Sequence, residues 1–155
     1  MTESADRPGI VAPPPVLYLG ALAAAFLLRW FWPLPFWGRE VAVWVGIALV
    51  LVGLAIGVWG RQTMVRAGTN VDPRRPATAV VTSGPFRFSR NPLYVGLTLI
   101  YLGITTALDT AWGLVLVVPL LVVMHQGVVR REERYLERKF GDGYRQYRAA
   151  VRRYL

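Results

Sequence analysis

The sequence predicts an all-α integral membrane protein of about four transmembrane helices with a C-terminal amphipathic helical segment, and three observations carry that prediction. Hydrophobic residues make up 54% of the 155 residues and charged residues only 17%, against roughly 25% charge in an ordinary soluble domain. The apolar residues fall in four long runs, as expected of helices that cross a bilayer. The basic residues gather at the ends of those runs, where juxtamembrane arginines meet anionic headgroups.

Residues 1–15 hold Pro13, Pro14 and Pro15 and little apolar surface, and read as a flexible N-terminal tail. No basic segment precedes an apolar core there, which argues against a cleavable signal. The transmembrane domain occupies 16–129. Its first span, 16–32, is stopped by Pro33 and Pro35, and its one charge, Arg29, lies near enough to the end to snorkel to the headgroups. The second, 41–60, is uncharged, and at about 1.5 Å per residue it covers a hydrocarbon core of roughly 30 Å. A loop at 61–92 leads to the third span, 93–108. Only Asp109 and Thr110 separate this from the fourth, 111–129, so the two should form a tight hairpin, with Pro119 placed to kink the second arm. Small residues such as Gly53 and Gly57 can pack helices within one chain or between two, which leaves the oligomeric state open.

Six basic residues lie in the loop at 61–92 and nine after Val129, placing 15 of the 18 on one side. By the positive-inside rule that side is the cytoplasm. Both termini are then cytoplasmic in a multi-pass protein of the cell membrane, which requires an even number of spans. In the cytoplasmic segment 130–155, Leu136, Phe140, Tyr144, Tyr147 and Val151 recur at spacings of three and four, with arginines opposite and Gly141, Asp142 and Gly143 between. That pattern predicts two short amphipathic helices on the membrane surface.

Composition also excludes chemistry. Without cysteine there is no disulfide, thiolate metal site or cysteine nucleophile. A single histidine, His125, leaves little scope for a zinc centre or a histidine-centred triad. The net charge of +9 is explained by its juxtamembrane placement, so membrane is the expected partner and nucleic acid is not.

Three polar clusters remain. Ser89-Arg90-Asn91-Pro92-Leu93-Tyr94 opens the third span, where Asn and Pro suit a helix start and Arg and Tyr suit the interface. Arg130-Arg131-Glu132-Glu133 follows the fourth span, with His125 seven residues before Glu132 on nearly the same helix face and Arg130 sharing a face with Glu133. Two adjacent acids serve no topological purpose at a membrane exit. The third cluster, Phe140-Gly141-Asp142-Gly143-Tyr144-Arg145-Gln146-Tyr147, reads locally as a glycine turn between surface helices.

Taken in order, Gly84-Pro85, then Arg90-Asn91-Pro92-x-Tyr94-x-Gly96, Glu132-Glu133 and Phe140-Gly141-x-x-Tyr144-x-x-Tyr147 resemble the isoprenylcysteine carboxyl methyltransferase and phospholipid methyltransferase group of membrane enzymes. The resemblance covers roughly residues 68–153, and Asn91 stands where many members have histidine. It implies S-adenosylmethionine as cofactor, with Arg90, Asn91, Pro92, Tyr94, Gly96, Glu132, Glu133, Tyr144 and Tyr147 as candidate binding residues. Glu133, Arg130 and His125 are the candidate catalytic residues, His125 or Glu133 serving as base if the acceptor is an amine. The implied substrate is a lipophilic acceptor dissolved in the membrane, an isoprenoid carboxylate or thiol compound or a lipid amine. Two other functions fit parts of the pattern: an NADPH-dependent membrane reductase of the sterol or enoyl type, whose C-terminal region has similar features, and a non-catalytic lipid-binding protein.

Overall fold

The computed structural model of the protein describes residues 6–36 and 38–155, so residues 1–5 of the expected tail lie outside the described residues. Every regular element within them is helical. Helix α1 is Pro14–Phe31, with proline in its first turn where a missing N–H is harmless. Helix α2, Arg39–Arg66, begins after Gly38 at φ 84 and runs six residues beyond the expected end of the second span. Nothing breaks it before Gly68, where the backbone turns to φ 70, and Arg61, Gln62 and Arg66 are good helix formers. Its 28 residues amount to roughly 42 Å, more than the hydrocarbon core of about 30 Å.

Helix α3 is Pro92–Ala107, within one residue of expectation at each end. A short turn with Asp109 at φ 49 connects it to α4, Trp112–Met124. That turn is tied to the α1–α2 connection: Phe36 N donates to Asp109 Oδ1 at 3.0 Å and Trp112 Nε1 to Trp32 O at 2.7 Å. The chain continues through a wide π turn, His125–Val129, into α5, Arg130–Phe140, so that Trp112–Phe140 is one helix of 29 residues. Helix α6, Asp142–Ala150, follows a reversal at Gly141, whose φ of 55 favours glycine.

By length and composition, three helices can cross a membrane: α1, α2 and Trp112–Phe140; α3, with 16 residues, is a shorter apolar helix. Their outer faces remain apolar, with Trp44 69% and Val118 62% exposed, as a lipid-facing surface requires. Inside, α2 lies against α3 through glycines. A Cβ at Gly53 would stand 2.7 Å from Gly96 O, and one at Gly46 2.5 Å from Gly103 O, so only glycine permits that backbone approach. Across α3, Tyr18 of α1 joins Tyr101, Leu120, Met124 and Val128 in a buried cluster, and its hydroxyl shares a 2.7 Å hydrogen bond with Thr98 Oγ1.

Two sequence expectations change. The first of the two surface helices is a continuation of the fourth span, because no glycine or proline breaks the helix between His125 and Gly141 except the tolerated Gly127. The apolar face of the C-terminal segment also turns inward. Tyr144 and Tyr147 bury against Val81 and Phe86, with Met64, Leu136 and Phe140 packed around them. A folded connection between α2 and α3 covers this face, and a membrane surface is not required. The segment before α1 is held as well. Val11 N donates to Gly127 O at 3.1 Å within the π turn, Arg131 Nη1 to Gly9 O at 2.7 Å, and Tyr135 OH to Asp6 Oδ1 at 2.9 Å.

Candidate active site

Three pieces of chain converge where α3 begins. The 3₁₀ turn Gly84–Arg87 reverses the connection and delivers residues 88–91 to the first turn of α3. Helix α5 brings Glu132 and Glu133 alongside. After α6, residues 151–155 run back past the same point: Arg90 N donates to Arg152 O at 3.0 Å, Asn91 Nδ2 to Arg153 O at 2.9 Å, and Ser89 Oγ to Arg153 O at 3.4 Å. The Asn91 side chain therefore anchors the C-terminal segment.

The two acids face different neighbours. Glu133 is buried and opposes Arg90, Nη1 to Oε1 at 3.0 Å, each side chain only 8% exposed. Arg153 grips the same carboxylate as a fork, Nε to Oε1 at 3.0 Å and Nη2 to Oε2 at 2.9 Å, the strong bidentate arrangement. The Arg90 contact is an ion contact without hydrogen-bond alignment: its Nε and Nη1 are buried and make no hydrogen bond among the described residues. Glu132, by contrast, accepts from Tyr94 OH at 2.8 Å and, among the described residues, pairs with no guanidinium. Tyr147 OH donates to Phe86 O at 2.8 Å, and the Tyr144 and Tyr147 rings meet edge to face at 6.2 Å. Burial pushes the Tyr144 hydroxyl up to about 12, with Glu133 adding to the shift and Arg90 opposing it, so it remains a proton donor across the neutral range.

These groups border a cavity of about 570 Å³, within the range of roughly 300–1,000 Å³ typical of small-molecule sites. All nine sequence-derived binding residues line it, from Arg90, Asn91, Pro92, Tyr94 and Gly96 on α3 and its lead-in to Glu132, Glu133, Tyr144 and Tyr147. Gly96 also packs on Gly53. Of the candidate catalytic residues, Glu133 lines the cavity while Arg130 and His125 lie outside its lining. Arg130 is exposed on the outer side of α5, and His125 Nδ1 is 2.9 Å from Tyr154 OH. The π turn rotates α5 relative to α4, so helical spacing counted through it does not relate His125 to Glu132 as an unbroken α-helix would.

Sequence reasoning missed Arg153. Counted only as one of many tail arginines, it reaches Glu133 from 20 residues away, and no local spacing marks it. Part of the lining was also illegible: Gly53 and Gly57 of α2 and Leu97 and Ile100 of α3 border the cavity as an apolar arm.

Fold and site define a helical membrane protein with a buried guanidinium–carboxylate cluster bordering a cavity that α2, α3, the α2–α3 connection and the C-terminal segment line together. The family model described as phospholipid methyltransferase matches residues 41–143, about two thirds of the chain and including both the Arg90–Gly96 motif and the Glu132-Glu133 pair. The chain belongs to the phospholipid methyltransferase family, a family of membrane methyltransferases. The match ends one residue before Tyr144, so Tyr144, Tyr147 and Arg153 fall outside it. An uncharacterised protein of Haemophilus influenzae is 43% identical over 63 residues, which is 41% of this chain and all of that protein. No solved structure matches the chain.

Proposed function

We propose that the protein transfers a methyl group from S-adenosylmethionine to a lipophilic acceptor dissolved in the membrane, at the cytoplasmic face. In this reading α3 completes a set of four spans with both termini inside, as the placement of 15 of the 18 basic residues suggests. The observation that carries the proposal is Arg90, a buried cation with two nitrogens lacking hydrogen-bond partners at the border of the cavity. Such a group is costly to bury unless a ligand supplies the missing acceptors.

The residues fit the cofactor. Arg90 offers N–H donors to its carboxylate. Glu132, which pairs with no guanidinium among the described residues, suits its ammonium or ribose hydroxyls. Tyr144 and Tyr147 provide buried aromatic walls. When bound, S-adenosylmethionine supplies a methyl group on a sulfonium, which is a strong leaving group.

Transfer breaks the carbon–sulfur bond, neutralises the sulfonium and releases it as a thioether, so the chain contributes mainly position and a dry environment. Glu133, gripped by Arg153 on both oxygens, orients Arg90. The apolar arm accommodates the hydrocarbon of the acceptor: from Pro92 to Ile100 along α3 is roughly 12 Å at the helical rise. An acceptor chain lying there keeps its head near the polar cluster and displaces water from it.

Calorimetric titration of purified protein in detergent tests the reading. S-adenosylmethionine and S-adenosylhomocysteine should bind, and Glu132→Gln should weaken both at least tenfold. Binding of NADPH with no response to either adenosyl compound would overturn the proposal in favour of a reductase.

A further inference from the structure

Arg90 and Arg153 share one carboxylate, and they share it unequally. Glu133 has two oxygens, and both are held by the aligned fork of Arg153. Arg90 approaches one of them to 3.0 Å but is not aligned to donate, leaving its Nε and Nη1 protons unused. A guanidinium facing a buried carboxylate by itself would settle into the bidentate pair that both groups favour. Arg153 already occupies that geometry. It is also the more exposed of the two, 34% against 8% for its side chain, and its main-chain carbonyl is fixed by Asn91 Nδ2. The C-terminal segment thus inserts a competing guanidinium while its backbone binds the lead-in to α3 that carries Arg90.

We infer that Arg153 is a positioning residue which, by holding Glu133 in a bidentate fork, keeps the donors of Arg90 available for the carboxylate of the bound cofactor. This rests on the cofactor reading above. Without Arg153, Arg90 rotates onto Glu133, and the site retains its charge but loses its carboxylate receptor. The main-chain bonds of residues 152 and 153 do not depend on the side chain, so Arg153→Gln leaves the segment docked.

The test compares two ligands that differ in the group Arg90 would hold. S-adenosylhomocysteine carries the amino-acid carboxylate and ammonium, and 5′-methylthioadenosine lacks both, so a loss confined to the former locates the effect of Arg153 at the amino-acid end. Titration calorimetry in detergent should show Arg153→Gln weakening S-adenosylhomocysteine at least tenfold while changing 5′-methylthioadenosine less than twofold. The Arg90→Gln/Arg153→Gln double variant should bind no worse than Arg90→Gln alone, because both substitutions remove the same donors. That second comparison is decisive even if the methylthio compound binds too weakly to titrate. Equal weakening of both ligands, or losses that add in the double variant, would show a general structural role and overturn the inference. Failure of wild-type protein to bind S-adenosylhomocysteine would instead remove the cofactor reading on which it stands. Should Arg153→Gln not fold, Arg153→Lys preserves the charge without the fork and supports the same comparison.

Discussion

The seam between α2 and α3 and the charged cluster at the start of α3 both bring buried groups together, but they do so by opposite means. Along the seam, Gly46 and Gly53 meet Gly103 and Gly96 with no side chain between the backbones. A Cβ at any of these four positions would meet backbone or side-chain atoms of the facing helix at under 3 Å, so the space there is already filled. At the cluster, four charged side chains meet in a small volume, and one of them, Arg90, has unused donors. A fully packed interface is stable and chemically inert, whereas an incompletely satisfied one is poised for a ligand. The nearer seam glycine, Gly96, lies four residues beyond Pro92, about one turn into α3, so the close packing begins just after the start of the helix that carries the cluster.

Glu133→Ala should break the contrast most severely. It leaves Arg90 and Arg153 without their shared counter-charge, and loss of one member of a buried pair costs about 3–5 kcal/mol. Thermal unfolding in detergent should register that loss, while Glu132→Ala, which removes the acceptor of the Tyr94 hydroxyl, should destabilise much less. Equal effects of the two would mean that Glu133 is not the structural member of the pair.

Gly53→Leu attacks the other side of the comparison. Its Cβ would fall 2.7 Å from Gly96 O and 2.9 Å from Ile100 Cγ1, so the helices must separate, at about 1–3 kcal/mol or more. The same measurement checks it, and an unchanged midpoint would refute the close seam. Tyr147→Phe removes the 2.8 Å bond to Phe86 O, for an expected loss of about 1 kcal/mol and a weakened docking of α6. Hydrogen exchange of the 142–150 amides should rise in this variant.

The smallest effect on stability is expected from Gly57→Leu. A Cβ there meets nothing within 4 Å, yet the residue lines the cavity. Added helix propensity makes the change neutral or slightly stabilising, within about 1 kcal/mol. The leucine would project into the apolar arm, so cofactor binding should persist while turnover of a long-chain lipophilic acceptor falls. Loss of both together would show that the arm is not separate from the cofactor's part of the cavity.

The apolar runs, the proline that starts α3 and the glycine that ends α5 were legible as helix boundaries because they act locally, through φ restriction and hydrogen-bonding capacity. The nine residues of the motif clusters were legible as a group through their order along the chain, which resembles that of the membrane methyltransferases, and the fold brings them to one cavity. The extension of α5 was not legible, since a π turn and a change of polarity resemble a break in sequence but do not interrupt the helix. Nor was the burial of Tyr144 and Tyr147: an amphipathic helix shows that it has an apolar face, and the connection at 67–91 decides what covers it.

The sequence by itself determined that this protein is helical, that its long helices are apolar enough for a membrane, and that two adjacent acids and an arginine motif await a purpose. Only the tertiary structure assigned those acids. Neighbours on a helix point roughly 100° apart, so Glu132 and Glu133 look toward different partners. Which of them meets Tyr94 and which meets two arginines depends on how α3 and the C-terminal segment pack around α5. The presentation of Arg90 depends on Arg153, 63 positions later in the chain, and a contact across that separation is set by the fold and leaves no local pattern.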